Sequence, residues 1–171
     1  LVFWAQFVHV LICDDSGFAR KQLTRCLPAD WPIEISYASN GREGLDVIRA
    51  GKGELVFLDL NMPEMDGYEV LSEIQSLDLP AMSIVVSGDV QTEAYSRVKK
   101  LGALDFIQKP VSLEDVVRIL KEYGIHEAAT GNVPRETELP VDMVEGYQEL
   151  ANVALGRAVK LLAQYLNVFV E

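Results

Sequence analysis

The chain has 171 residues, 49% of them hydrophobic and 24% charged, which suits one globular domain with an appendage and is too little for a multidomain enzyme. Fifteen Lys and Arg against 26 Asp and Glu give a formal net charge of −11, which opposes general attraction to nucleic acid or anionic membrane, so neither is expected as a partner. Two cysteines make no disulfide framework and favour a reduced, cytoplasmic setting.

Residues 1–13 are almost wholly apolar, interrupted by Gln6 and His9. They fall short of the roughly 20 residues a spanning helix needs and lack a basic lead and cleavage site, so no span or signal peptide is read. With no initiator Met, residues 1–7 are taken either as an expression-derived lead or as an extension of the first strand. From Val8 onward, β-branched runs at 8–13, 33–38, 55–58, 82–86 and 103–108 alternate with stretches of helical period. Leu55-Val56-Phe57-Leu58 has no polar residue, the pattern of a strand buried on both faces of a parallel sheet. Ser16, Asn40 and Ser112 stand where helix N-caps are wanted, and Asp115 follows Ser112 at capping-box distance. Five βα units predict an α/β sandwich that closes with a helix over 113–123.

Residues 124–140 hold Gly124, Gly131, Pro134 and Pro140 without a periodic apolar pattern and are read as a linker. Beyond it Asp142 caps a segment in which Met143, Tyr147, Leu150, Ala154, Ala158, Leu161 and Tyr165 recur at steps of three and four. One amphipathic helix is predicted, and its stripe needs cover from the first domain, a second copy of the chain or a further domain. A homodimer through this helix is the preferred expectation, because a linker lets the helix reach outward.

Three acids close two predicted strands: Asp14 and Asp15 after the first, Asp59 after the third. In parallel α/β sheets ligands bind beyond the carboxyl ends of the strands, so the acids share one rim if those strands are neighbours. Crowded carboxylates repel unless a cation joins them, and hard oxygen ligands favour Mg²⁺. Ser87 and Gly88 end the fourth strand with a hydroxyl and an open space, and Lys109 and Pro110 end the fifth with an ammonium. Lys109 and Ser87 suit phosphoryl oxygens, while Asp59 could attack a phosphoryl donor in line and keep the group as an acyl phosphate. Each feature alone is ordinary loop punctuation; their succession at the ends of strands one, three, four and five is not.

These motifs, Leu11-Ile12-Cys13-Asp14-Asp15-Ser16, Asp59 through Gly67, Val86-Ser87-Gly88 and Lys109-Pro110, resemble a two-component response-regulator receiver domain of the chemotaxis type over residues 8–123. The resemblance implies a doubly wound, flavodoxin-like sheet of five parallel strands in the order 2-1-3-4-5. It implies Asp59 as phosphoacceptor, Asp15 and Asp59 as direct Mg²⁺ ligands, Asp14 acting largely through water, and Asn61 lending a backbone carbonyl. Ser87 and Lys109 would bind the phosphoryl oxygens, and a sensor histidine kinase or phosphotransfer protein would supply the group. Ser87 and Phe106 occupy the switch positions where Thr and Tyr are frequent, so the coupled switch is expected to be softened. Asn61 and Asp89 match the positions that tune acyl-phosphate lifetime. Pro63 and Gly67 read as turn residues, the glycine by its conformational freedom.

Glu149 and Asn152 share one helical face, and residues 149–158 are similar to the Glu-x-x-Asn helix of CheC-type chemotaxis phosphatases. That resemblance implies other phosphorylated receivers as partners and takes residues 141–171 as the truncated start of a phosphatase-like output domain, inactive by itself. The competing enzyme reading is a haloacid-dehalogenase-type phosphohydrolase. It requires an Asp-x-Asp loop on the first strand, whereas Asp14 and Asp15 are adjacent and Asp59 follows the third. A receiver acting only as a phosphate sink or interaction module is the other alternative.

Overall fold

The computed structural model describes residues 7–88 and 91–126. Five strands and five helices alternate along them: β1 (Val8–Cys13), α1 (Gly17–Arg25), β2 (Ile33–Ala38), α2 (Gly41–Arg49), β3 (Leu55–Leu58), α3 (Gly67–Ser76), β4 (Met82–Ser87), α4 (Thr92–Lys100), β5 (Asp105–Gln108) and α5 (Leu113–Glu122). The strands form one parallel sheet in the order β2-β1-β3-β4-β5, the flavodoxin-like order expected above. Among the described residues no helix is long and apolar enough to cross a membrane. The segment 141–171, with its amphipathic stripe, Glu149 and Asn152, lies outside the described residues, as does Asp89.

The period-two geometry of the strands divides the core. Leu11, Cys13, Val56, Leu58 and Val85 face α2, α3 and α4, where Leu45, Ile48, Val70, Leu71 and Val98 cover them. Their neighbours Val10, Ile12, Leu55, Phe57, Ile84 and Val86 face α1 and α5, against Leu23, Val116, Ile119 and Leu120. All four residues of β3 are buried, as a central strand covered on both faces requires. Within the segment read as linker, Ile125 packs on the second core and the His126 ring stacks on Trp31 at 5.4 Å.

Helix starts follow their cap residues. Ser16 accepts from the Ala19 amide at 3.3 Å, Asn40 from Glu43 at 2.9 Å and Ser112 from Asp115 at 3.1 Å. At Ser112 the Asp115 carboxylate takes the serine hydroxyl at 2.6 Å instead of reaching back to the main chain. The reciprocal capping box belongs to α3, where Asp66 accepts from the Glu69 amide at 2.8 Å and Glu69 accepts from the Asp66 amide at 2.9 Å. β5 begins two residues later than the apolar run suggests, because Gly102, at φ +86°, turns the Ala103 amide back to the Val98 carbonyl and closes α4. β4 runs one residue further, so Ser87 is its last member.

Candidate functional site

The parallel register sets Cys13 beside Leu58, and one more ladder bond, from the Asp59 amide to the Cys13 carbonyl at 2.9 Å, carries the pairing past the strands. Asp14 and Asp59 therefore emerge side by side at the carboxyl edge, both only 5% exposed, while Asp15 turns outward into solvent. One carboxylate oxygen from each of the three lies within 4.8 Å of the others. Lys109, at the end of β5 two strands from Asp59 and three from Asp14, reaches back over β4 and places its ammonium 2.7 Å from Asp14 Oδ2 and 3.0 Å from Asp59 Oδ1. Only a long, flexible stem spans that gap.

Burial pushes the Asp59 carboxyl above the usual carboxylate range, and the nearby Asp14 charge adds to it; the Lys109 ammonium pulls the other way and does not win. Burial alone would lower Lys109, yet the bonds from Asp14 and Asp59 raise it, so the ammonium stays charged. Three carboxylates thus face one cation in a half-enclosed rim. That donor set, hard oxygens with negative charge in excess, fits a divalent ion such as Mg²⁺.

Around this centre, the Asn61 amide donates to Asp59 Oδ2 at 3.2 Å from an exposed position. Ser87 is fully buried at the end of β4, and the space that a side chain on Gly88 would enter is open. The Lys109–Pro110 peptide bond is cis. A hollow of about 410 Å³ beside the acids is lined by Phe18, Gln22, Phe57, Lys109 and Val111, with the Phe18 ring 77% exposed at its mouth.

Gly67 has a different reason from the one its sequence suggested. Its φ is not in the left-handed region; instead a Cβ there would stand 2.3 Å from the Asp59 carbonyl oxygen and 2.9 Å from Leu60 Cα. The start of α3 lies against the backbone of Asp59, and only a residue without a side chain fits. Phe106 is half-buried and meets the Tyr95 ring edge-on, with centroids 6.2 Å apart. Nothing in the local pattern around Tyr95 marks it as part of this arrangement, since the contact joins α4 to β5.

A family model described as response regulator receiver domain matches residues 10–121. The chain is 34% identical over 173 residues to protein-glutamate methylesterase/protein-glutamine glutaminase 3 of Geobacter sulfurreducens, covering 96% of this chain and 44% of that protein. It is 35% identical over 114 residues to the chemotaxis protein CheY of Thermotoga maritima, covering 67% of this chain and 95% of the relative. A solved CheX–CheY–BeF3–Mg²⁺ complex from Borrelia burgdorferi matches with a TM-score of 0.62 at 31% identity, covering 68% of this chain and 89% of that one. The chain spans less than half the length of the methylesterase relatives that it matches.

Proposed function

Because the chain belongs to the response regulator receiver domain family, we propose that it is a phosphorylation-operated switch of a chemotaxis-type pathway with Asp59 as phosphoacceptor. The observation that supports this is the Asp14–Lys109–Asp59 bridge beside a third carboxylate: a buried carboxylate, an ammonium and a cluster of hard oxygen donors on one rim, the groups such a transfer needs. In the reaction an Asp59 carboxylate oxygen attacks the phosphorus of a phosphohistidine or small acyl phosphate in line. The new O–P bond forms as the bond to the leaving imidazole or carboxylate breaks, and that group departs with the electron pair. Lys109 releases its hold on the acids to neutralise the phosphoryl oxygens, and the Ser87 hydroxyl donates to one of them. Asp15, Asp59 and the Asn61 carbonyl, with Asp14 acting largely through water, would hold Mg²⁺, which would supply positive charge against the phosphoryl group.

The readout runs from Ser87 to Phe106, whose ring lacks a hydroxyl and bears on Tyr95, so the shift is one of packing on the α4 and β5 face. Asn61 and Asp89 set the lifetime of the acyl phosphate. The donor is a sensor histidine kinase or phosphotransfer protein in the cytoplasm. Residues 8–123, with Ile125 and His126 packed on them, make the receiver; the rest of 124–140 links it to an output region at 141–171, whose predicted helical stripe would support a homodimer. For that output, the CheC-type reading has Glu149 and Asn152 alone behind it and is not carried by the relatives. The relative aligned across 96% of the chain is a methylesterase/glutaminase, and we take an output of that class as the one the receiver governs.

Intact-mass measurement after treatment with Mg²⁺ and acetyl phosphate tests the reading. The parent chain is expected to gain one phosphoryl group, and Asp59→Asn none. An equal adduct on both would remove Asp59 from the role.

A further inference from the structure

The turn between β1 and α1 carries two of the three acids, and its two carbonyls lie beyond the last ladder pair, Cys13 with Ala38. Both are held by one side chain. Arg20, one turn into α1, donates from Nη1 to the Asp14 carbonyl at 2.6 Å and to the Asp15 carbonyl at 3.3 Å. Its other terminal nitrogen lies 3.6 Å from where a Cβ on Gly17 would stand, so the guanidinium folds back over the first turn of the helix. Inside the turn, Asp14 Oδ1 accepts the Ser16 amide at 2.8 Å, which leaves Oδ2 for Lys109. Together these bonds fix the main chain from which both carboxylates project and hold the Asp14 carboxylate directly.

Coulomb's law makes this arrangement odd for a cation site. A guanidinium beside the turn repels an incoming metal ion, so its presence favours binding only if the order it imposes outweighs the repulsion. We propose that Arg20 is a positioning residue of the metal site, clamping the Asp14–Asp15 turn so that both carboxylates face Asp59 before Mg²⁺ arrives. The inference rests on the reading of that rim as a Mg²⁺ site. Its sign is diagnostic: if Arg20 acts by charge alone, removing it tightens Mg²⁺ binding, and if it acts by position, removal weakens it.

The experiment is calorimetric titration of the unphosphorylated chain with MgCl₂, with urea unfolding in Mg²⁺-free buffer run alongside. Arg20→Met, which keeps the stem and loses every donor, is expected to bind Mg²⁺ about tenfold more weakly or worse, the range in which outer-shell partners fall. Arg20→Lys, which keeps charge and reach without the planar fork, should recover part of the loss. Lys21→Ala, removing an exposed charge from the same helix, should bind at least as tightly as the parent. The Mg²⁺ concentration giving half-maximal phosphoryl uptake should rise by the same factor in Arg20→Met, with uptake at saturating Mg²⁺ unchanged, a split that a general loss of fold would not produce. Equal or tighter binding by Arg20→Met overturns the proposal. If that variant does not fold, Arg20→Gln, which loses the charge and the reach to the carbonyls, decides: several-fold weaker binding supports the clamp and parent-like or tighter binding overturns it. Absence of Mg²⁺ heat from the parent would instead overturn the metal site itself.

Discussion

At Asp59 the fold holds a carboxyl that would ionise more easily in the unfolded chain, since burial raises its folded-state proton affinity. The folded form then binds more protons than the unfolded form between the ordinary carboxylate value and the raised one, so stability falls as pH climbs through that window. Asp59→Asn removes the charge while Asp14 keeps its bond to Lys109. Urea titrations in Mg²⁺-free buffer at pH 4 and pH 7 should therefore show the variant gaining on the parent as pH rises; a constant difference would contradict this. Cys13 presents the reverse accessibility problem. Burial, with Asp14 next, pushes its thiol up to about 12, so at pH 8 only about one molecule in ten thousand carries the thiolate there. Iodoacetamide on the native protein should alkylate the partly exposed Cys26 first and reach Cys13 only after unfolding, as peptide mapping would read.

Among the elements, α3 joins stability to the site most directly. Asp66 and Glu69 close its first turn reciprocally, so Asp66→Ala should lower stability by about 1 kcal/mol and leave Mg²⁺ affinity near that of the parent. Gly67→Ala forces a methyl onto the Asp59 backbone, and no flexible side chain is there to give way. Overpacking of this kind costs about 1–3 kcal/mol, and here any relief must move Asp59. Denaturant curves and Mg²⁺ titration of the two variants should separate them, with both properties falling in Gly67→Ala and only stability in Asp66→Ala. Matched Mg²⁺ affinities would show that α3 does not set the position of Asp59.

For the domain as a whole, excess negative charge at one rim makes stability depend on what binds there. Mg²⁺ at about a hundred times its dissociation constant should add about 2.7 kcal/mol by mass action. That corresponds to a rise of about 10 °C in Tm for a domain of this size. Asp15→Ala, which removes the exposed carboxylate of the three without leaving a buried charge unpaired, should lose most of that rise in a thermal melt. A Mg²⁺ response equal to the parent's would take Asp15 out of the site.

What local chemistry decides was legible before any coordinates. The polarity-free run at 55–58, the strand-helix alternation and the caps at Ser16, Asn40 and Ser112 depend on residues within a few positions of one another. The acids at the ends of strands one and three could be read in the same way, since a strand's end is marked by its own residues. Other features depend on strands that are distant in sequence becoming neighbours. The bond from Lys109 to Asp14 joins residues 95 positions apart and exists because β1, β3, β4 and β5 lie side by side in that order. Likewise Gly67 is needed because α3 lands on the Asp59 backbone, not because its own φ demands it, and the Tyr95 contact arises where α4 crosses β5. Local sequence determined which residues stand at the strand ends; tertiary packing alone decided which of them share a charge, because electrostatic coupling follows distance in space and not along the chain.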